Sequence, residues 1–171
     1  MNKIIKEFGI KVGLILSIIQ ILITLYLYNY GSFVDKKIGM FIILLNIFFG
    51  TLTIILARMK LKKISLRESF TGYFITILIS SIISALFYVS FFNTIASDIK
   101  KESIKKEFFN FQIESLKNSE LPKEDINKNI ELAKTFEPFT LSNSIQSAIK
   151  YLLIYSIIGI IISVIFRNKS S

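Results

Sequence analysis

The stretch Ala96–Leu141, ASDIKKESIKKEFFNFQIESLKNSELPKEDINKNIELAKTFEPFTL, decides how this chain folds. It is the only long polar segment in a sequence otherwise built of apolar runs. It holds eight lysines and nine acids, so it is close to neutral. It is not a structureless loop. Ile104, Phe108, Phe109, Ile113 and Leu116 recur at helical spacing. Asn118 to Leu121 breaks the pattern, and Pro122 suits a first helical position with Glu124 and Asp125 in the first turn. Ile126, Ile130, Ala133 and Phe136 form a second stripe, which Pro138 stops. The segment therefore reads as two short amphipathic helices joined by a turn. Such stripes usually face their own core, here each other and the rim of the rest of the protein. The other reading makes Phe108, Phe109 and Phe111 an exposed apolar patch for a lipid or protein partner.

The flanking sequence reads as membrane. Of 171 residues, 52% are hydrophobic, and the mean hydropathy is +0.58. Soluble domains run roughly 45–50% apolar even with glycine counted. The excess is gathered into blocks, which is the membrane pattern. Four crossings are expected, at about residues 8–30, 38–58, 69–96 and 145–166. They form one all-α membrane domain over 1–171, a four-helix bundle with the helical pair of 97–141 between its third and fourth helices.

The first apolar run follows Lys3, Lys6 and Lys11, as a signal peptide would. It is longer than a signal core, and Tyr26, Tyr28 and Tyr30 close it where rings suit a membrane interface. An uncleaved crossing is the expectation. Gly31 to Lys37 is short enough to make the first two helices an antiparallel hairpin. Arg58, Lys60, Lys62, Lys63 and Arg67 then crowd the next turn against Glu68 alone. Such a bias places that turn and the N-terminus in the cytoplasm, with Ala96–Leu141 outside. Arg167 and Lys169 agree with a cytoplasmic C-terminus. The net charge of +9 thus belongs to membrane ends and does not signal nucleic acid. Lys150, at the start of the last crossing, has a stem long enough to snorkel to the interface.

Within the crossings, Gly9, Gly13 and Ser17 fall at four-residue intervals, and Gly159 and Ser163 repeat that spacing. Small residues so placed let helix backbones approach closely, inside one chain or between two. Gln20 lies eleven residues from Gly9, and Asn46 twelve from Arg58. At about 1.5 Å per residue they reach the same depth on antiparallel neighbours, which predicts an interhelical hydrogen bond. A solute path is the competing reading. It is disfavoured because no acid or base lies at mid-membrane. Ser80, Ser81 and Ser84 are expected to bond back to their own helix.

The chain contains neither cysteine nor histidine. Disulfides, thiolate metal sites and Cys nucleophiles are excluded, as are the commonest general base and metal ligand. Glu102, Glu107, Glu114, Glu124, Asp125 and Glu131 belong to a solvated, lysine-rich surface. No Gly-rich phosphate loop is present. No catalytic, cofactor-binding or metal-ligating set is assigned.

Phe8-Gly9-Ile10-Lys11-Val12-Gly13, Ile64-Ser65-Leu66-Arg67-Glu68-Ser69-Phe70, Leu121-Pro122-Lys123-Glu124-Asp125-Ile126 and the Gly159-containing last helix carry a resemblance. Over nearly its whole length the chain resembles a family of small bacterial inner-membrane proteins known as domain of unknown function 4199. The resemblance implies four crossings with the longest loop between the third and fourth. It implies no activity, ligand or catalytic residue.

The functional expectation is a non-enzymatic, multi-pass accessory or scaffold protein of the bacterial inner membrane, using its outer helical pair for contacts. The alternative is a small oligomeric transporter or lipid-handling protein. A membrane-embedded enzyme comes third. The expected partners are the lipid bilayer and a protein partner or second copy, with no nucleic acid and no cofactor.

Overall fold

Each apolar run becomes a helix that starts before the run itself, because polar residues ahead of it cap the first turn. A computed structural model, describing residues 2–166, shows six helices. They are α1 Lys3–Tyr30, α2 Lys36–Leu61, α3 Leu66–Thr94, α4 Asp98–Lys117, α5 Lys123–Lys134 and α6 Leu141–Phe166. The Asn2 side chain accepts from the Ile4 N–H, and that of Asp35 from Lys37. Ser65 and Glu68 form a reciprocal capping box at the start of α3. The Thr140 hydroxyl accepts from the Asn143 N–H, starting α6 four residues before the expected 145. Pro122 corrects a smaller expectation: it stands one residue outside α5, with extended backbone (ψ 145°). Arg167 and Lys169 lie outside the described residues.

Helices α1, α2, α3 and α6 are long and apolar enough to cross a bilayer. The protein is an all-helical, multi-pass membrane protein. Helix α3 is its centre, packing against α1, α2 and α6. Helix α2 also touches α1 and α6, so α1 and α6 flank the α2–α3 pair. The end carrying the α2–α3 turn is the basic end. The end carrying α4 and α5 is the hairpin end.

Toward the basic end, small residues bring backbones together. A Cβ added to Gly13 would lie 2.9 Å from the Thr76 carbonyl oxygen of α3, and one on Gly9 3.2 Å from that of Gly72. The first small-residue stripe is therefore an internal α1–α3 contact. Gly159 of α6 and Gly50 of α2 both lie against the Tyr73 ring, which is fully buried. A Cβ on Gly159 would stand 2.5 Å from that ring.

At the hairpin end, rings fill the space instead. Phe91, Phe92, Ile104 and Phe139 form a buried cluster with Tyr28, Phe33, Tyr88 and Phe108 around it. Phe92 stacks on Phe139 at 4.4 Å, and Phe33 lies 5.8 Å from Phe92. Edge-to-face and offset pairs of this kind add to plain area burial. The cluster joins α4 and the turn before α6 to the ends of α1 and α3. The apolar stripe on α4 thus begins by packing on the bundle.

Candidate functional site

Three polar side chains meet inside the membrane region. Gln20 Nε2 donates to Asn46 Oδ1 at 3.1 Å, joining α1 to α2. Ser84 Oγ donates to Gln20 Oε1 at 2.6 Å, joining α3 to both. Asn46 Nδ2 also donates to the Ile42 carbonyl at 2.7 Å. An amide buried in lipid must find such partners, since no water offers an alternative. Ser84 corrects the expectation that it bonds only to its own helix. Depth explains why it reaches Gln20. Gln20 is 17 residues from the start of α1 (20 − 3), and Ser84 is 18 from the start of α3 (84 − 66). These two helices run parallel, so the positions share a level. Ser80 does bond back, to the Ile77 carbonyl at 3.0 Å.

A second crossing bond was not read from the sequence. Thr53 Oγ1 and Thr76 Oγ1 are 2.7 Å apart and fully buried between α2 and α3. The signal available was depth again, since Thr53 lies eight residues from the end of α2 (61 − 53) and Thr76 ten from the start of α3 (76 − 66). Ser17 is buried and donates to the Leu14 carbonyl at 2.7 Å. Ser163 is buried, with no hydrogen-bond partner for its hydroxyl among the described residues. Sets of this kind hold helices in register; they offer no titrating group near neutral pH.

The expected apolar patch on α4 is differently arranged. Phe108, Phe109 and Phe111 are all half-buried, so they do not form one exposed surface. Phe108 turns to the aromatic cluster, 6.4 Å from Phe33. Phe109 stands about 100° further round the helix. Phe111 lines a groove of about 400 Å³ between α4 and α5. Leu116, Leu132, Ala133 and Phe136 line it too, with Gln112 and Asn129 at its polar margin. Leu132 is 60% exposed there.

Polar ties hold the pair on the bundle. Ser32 Oγ donates to Glu107 Oε2 at 2.8 Å, and Asn93 Nδ2 donates to the Phe139 carbonyl at 3.0 Å. Within the segment itself, Lys105 of α4 pairs with Glu137, in the turn after α5, at 2.5 Å. The Glu137 carboxylate, accepting that bond, raises the Lys105 ammonium above the usual lysine pKa. Lys101, donating to Asp98, holds that carboxyl below its usual value.

The family model for a protein of unknown function (DUF4199) matches residues 7–168. The chain belongs to that family. The match takes in all but the first turn of α1, the other three crossing helices and the α4–α5 pair, so the groove and the Gln20–Asn46–Ser84 set both lie inside it. No match was found among curated proteins or solved structures.

Proposed function

We propose that this DUF4199 protein is a non-enzymatic accessory or scaffold protein of the bacterial cytoplasmic membrane. Its N- and C-termini are cytoplasmic, and its α4–α5 pair is an extracytoplasmic contact surface. The observation that carries this reading is the open apolar groove between α4 and α5. Two helices side by side leave a strip that a third apolar helix face completes, with Gln112 placed to bond its backbone or polar edge. The partner is accordingly a protein presenting an amphipathic helix. The lack of histidine, cysteine and mid-membrane acids supports the non-enzymatic reading. The unbalanced cations of the α2–α3 turn support the orientation. The transporter or lipid-handling alternative would rest on Gln20, Asn46 and Ser84, but these groups are bonded to one another.

Because the chain has no cysteine, two single-cysteine variants test the orientation. In intact cells, a membrane-impermeant maleimide is expected to label Ser119→Cys and spare Lys62→Cys. Labelling of position 62 alone inverts the topology and makes the groove a cytoplasmic surface. The contact is tested by photo-crosslinkers placed at Leu132, in the groove, and at Ile99, which is exposed outside it. A discrete protein adduct from Leu132 that Phe111→Asp abolishes supports the reading. Equal adducts from both positions, or lipid adducts alone, remove it.

A further inference from the structure

The basic end of the bundle holds cations that no ion pair neutralises among the described residues. Lys3 and Lys6 stand exposed on the first turns of α1, and Arg58, Lys60, Lys62 and Lys63 stand exposed around the α2–α3 turn. The two groups share one end of the molecule, because Ile5 packs with Ala57 and Ile64 there. Among the described residues, none of the six has a carboxylate within ion-pair distance. The nearby acids are engaged elsewhere. Glu7 pairs with Lys11 at 2.7 Å. The Glu68 carboxylate accepts from the Ser65 N–H at 3.0 Å and the Ser65 hydroxyl at 2.9 Å.

The turn also keeps a lysine where the backbone suits glycine. Lys62 has a φ of 60°, the one positive value of a non-glycine among the described residues. A Cβ is crowded in that region, and glycine is free of the penalty. The conformation is held by the helix end: the Lys62 N–H donates to the Arg58 carbonyl at 2.8 Å, and the Lys63 N–H to that of Leu61 at 2.7 Å. Strain retained at one residue of an unneutralised cluster points to a use for that side chain.

We infer that this basic rim binds the phosphate headgroups of anionic phospholipids in the membrane around it. A phosphodiester is acceptor-only and the rim is donor-only, so each satisfies the other. The rim stands where α2 ends and α3 begins, which for helices that cross a bilayer brings it near the headgroups. Met59, 75% exposed, and Leu66, 37% exposed, lie among the cations. A bound lipid can therefore set its glycerol and first methylenes against them while its phosphate meets the lysines. A soluble phosphate gains nothing from those apolar neighbours. The surface lies at the opposite end from the α4–α5 groove, so it stands or falls apart from the proposed contact there.

The test is native mass spectrometry of the full chain released from micelles containing equal amounts of phosphatidylglycerol and phosphatidylcholine. Phosphatidylglycerol adducts are expected to dominate, and added salt is expected to erase the preference. Lys62→Gly relieves the backbone while removing a charge. It is expected to keep or raise stability and to weaken the preference about fivefold, the effect of one cation near a charged surface. Lys62→Arg is expected to retain the preference, and Lys123→Gln, on α5, to leave it unchanged. Equal binding of the two lipids by the natural chain would falsify the inference. So would a Lys62→Gly protein that keeps its full preference, or displacement of the lipid by inorganic phosphate at equal concentration.

Discussion

The two ends of the bundle are held by different forces. Toward the basic end, Gly13 meets the Thr76 carbonyl and Gly159 meets the Tyr73 ring, so backbones and one flat ring touch directly. At the hairpin end, Phe92, Phe139, Phe33 and Phe108 fill the gap with large side chains. The difference follows from the solvent. Between helices in lipid there is little hydrophobic drive, because the acyl chains are as apolar as the side chains; close approach and interhelical hydrogen bonds must do the joining. Where α4 meets the bundle, water competes, and burying rings is again favourable at roughly 25 cal/mol per Å². A substitution aimed at one force should therefore leave the other end standing.

Phe92→Ala is the largest break expected. Phe92 is fully buried and stacked on Phe139, and removing such a ring typically costs about 3–5 kcal/mol. The loss should appear as release of residues 97–140 to protease while the four crossing helices stay protected. If the whole chain unfolds together, the two ends are not independent. Gly159→Ala attacks the other end. Its new methyl meets the Tyr73 ring at 2.5 Å, and overpacking of this kind costs about 1–3 kcal/mol. Unfolding titrations in mixed micelles should show that loss, with the α4–α5 pair still docked. Combining it with Tyr73→Leu should recover part of it. Failure to recover would show that the ring is not what the methyl strikes.

The two ends also differ in how openly the sequence shows them. The four crossings are plain, because a run of apolar residues long enough for a bilayer has few other uses. Their ends are less plain: α1 starts at Lys3 and not near Phe8, since charged first turns remain helical once Asn2 caps them. Counting depth along antiparallel helices put Gln20 and Asn46 at one level, where the two amides meet. The same count on parallel helices reaches Ser84, which the habit of serine to bond its own helix hid. The Gly50–Tyr73–Gly159 sandwich was hidden for another reason. Gly50 has no small neighbour at four-residue spacing, and nothing in a sequence says which ring a glycine faces. In α4, the sequence groups Phe108, Phe109 and Phe111 as one candidate patch, but only packing separates the ring that turns to the bundle from the one that lines the groove.

Gln20→Leu probes the boundary between the two regimes. It deletes the bonds to Asn46 and Ser84 and keeps the volume near constant. Interhelical hydrogen bonds in membranes average about 0.6 kcal/mol, so a loss near 1 kcal/mol is expected for the pair. Unfolding titrations should show a shift smaller than that of Gly159→Ala. A larger one would mean that the polar set, and not close approach, joins α1 to its neighbours.

The smallest effect belongs to the Lys105–Glu137 tie, which sharpens the comparison because it depends on charge alone. Lys105 titrates above its ordinary 10.5 in the folded protein, chiefly through its bond to Glu137. Its contribution is therefore complete below that ordinary value and is lost as pH rises through the elevated one. The pair is partly open to solvent, which holds the contribution under about 1 kcal/mol. A spin label on Ser119→Cys should report slightly greater mobility of the α4–α5 turn only once the pH has risen beyond the ordinary lysine value, and none between about pH 7 and 9. Release of the α4–α5 pair on deprotonating Lys105, as large as that from Phe92→Ala, would assign the docking to charges in place of rings, and the contrast between the two ends would fail.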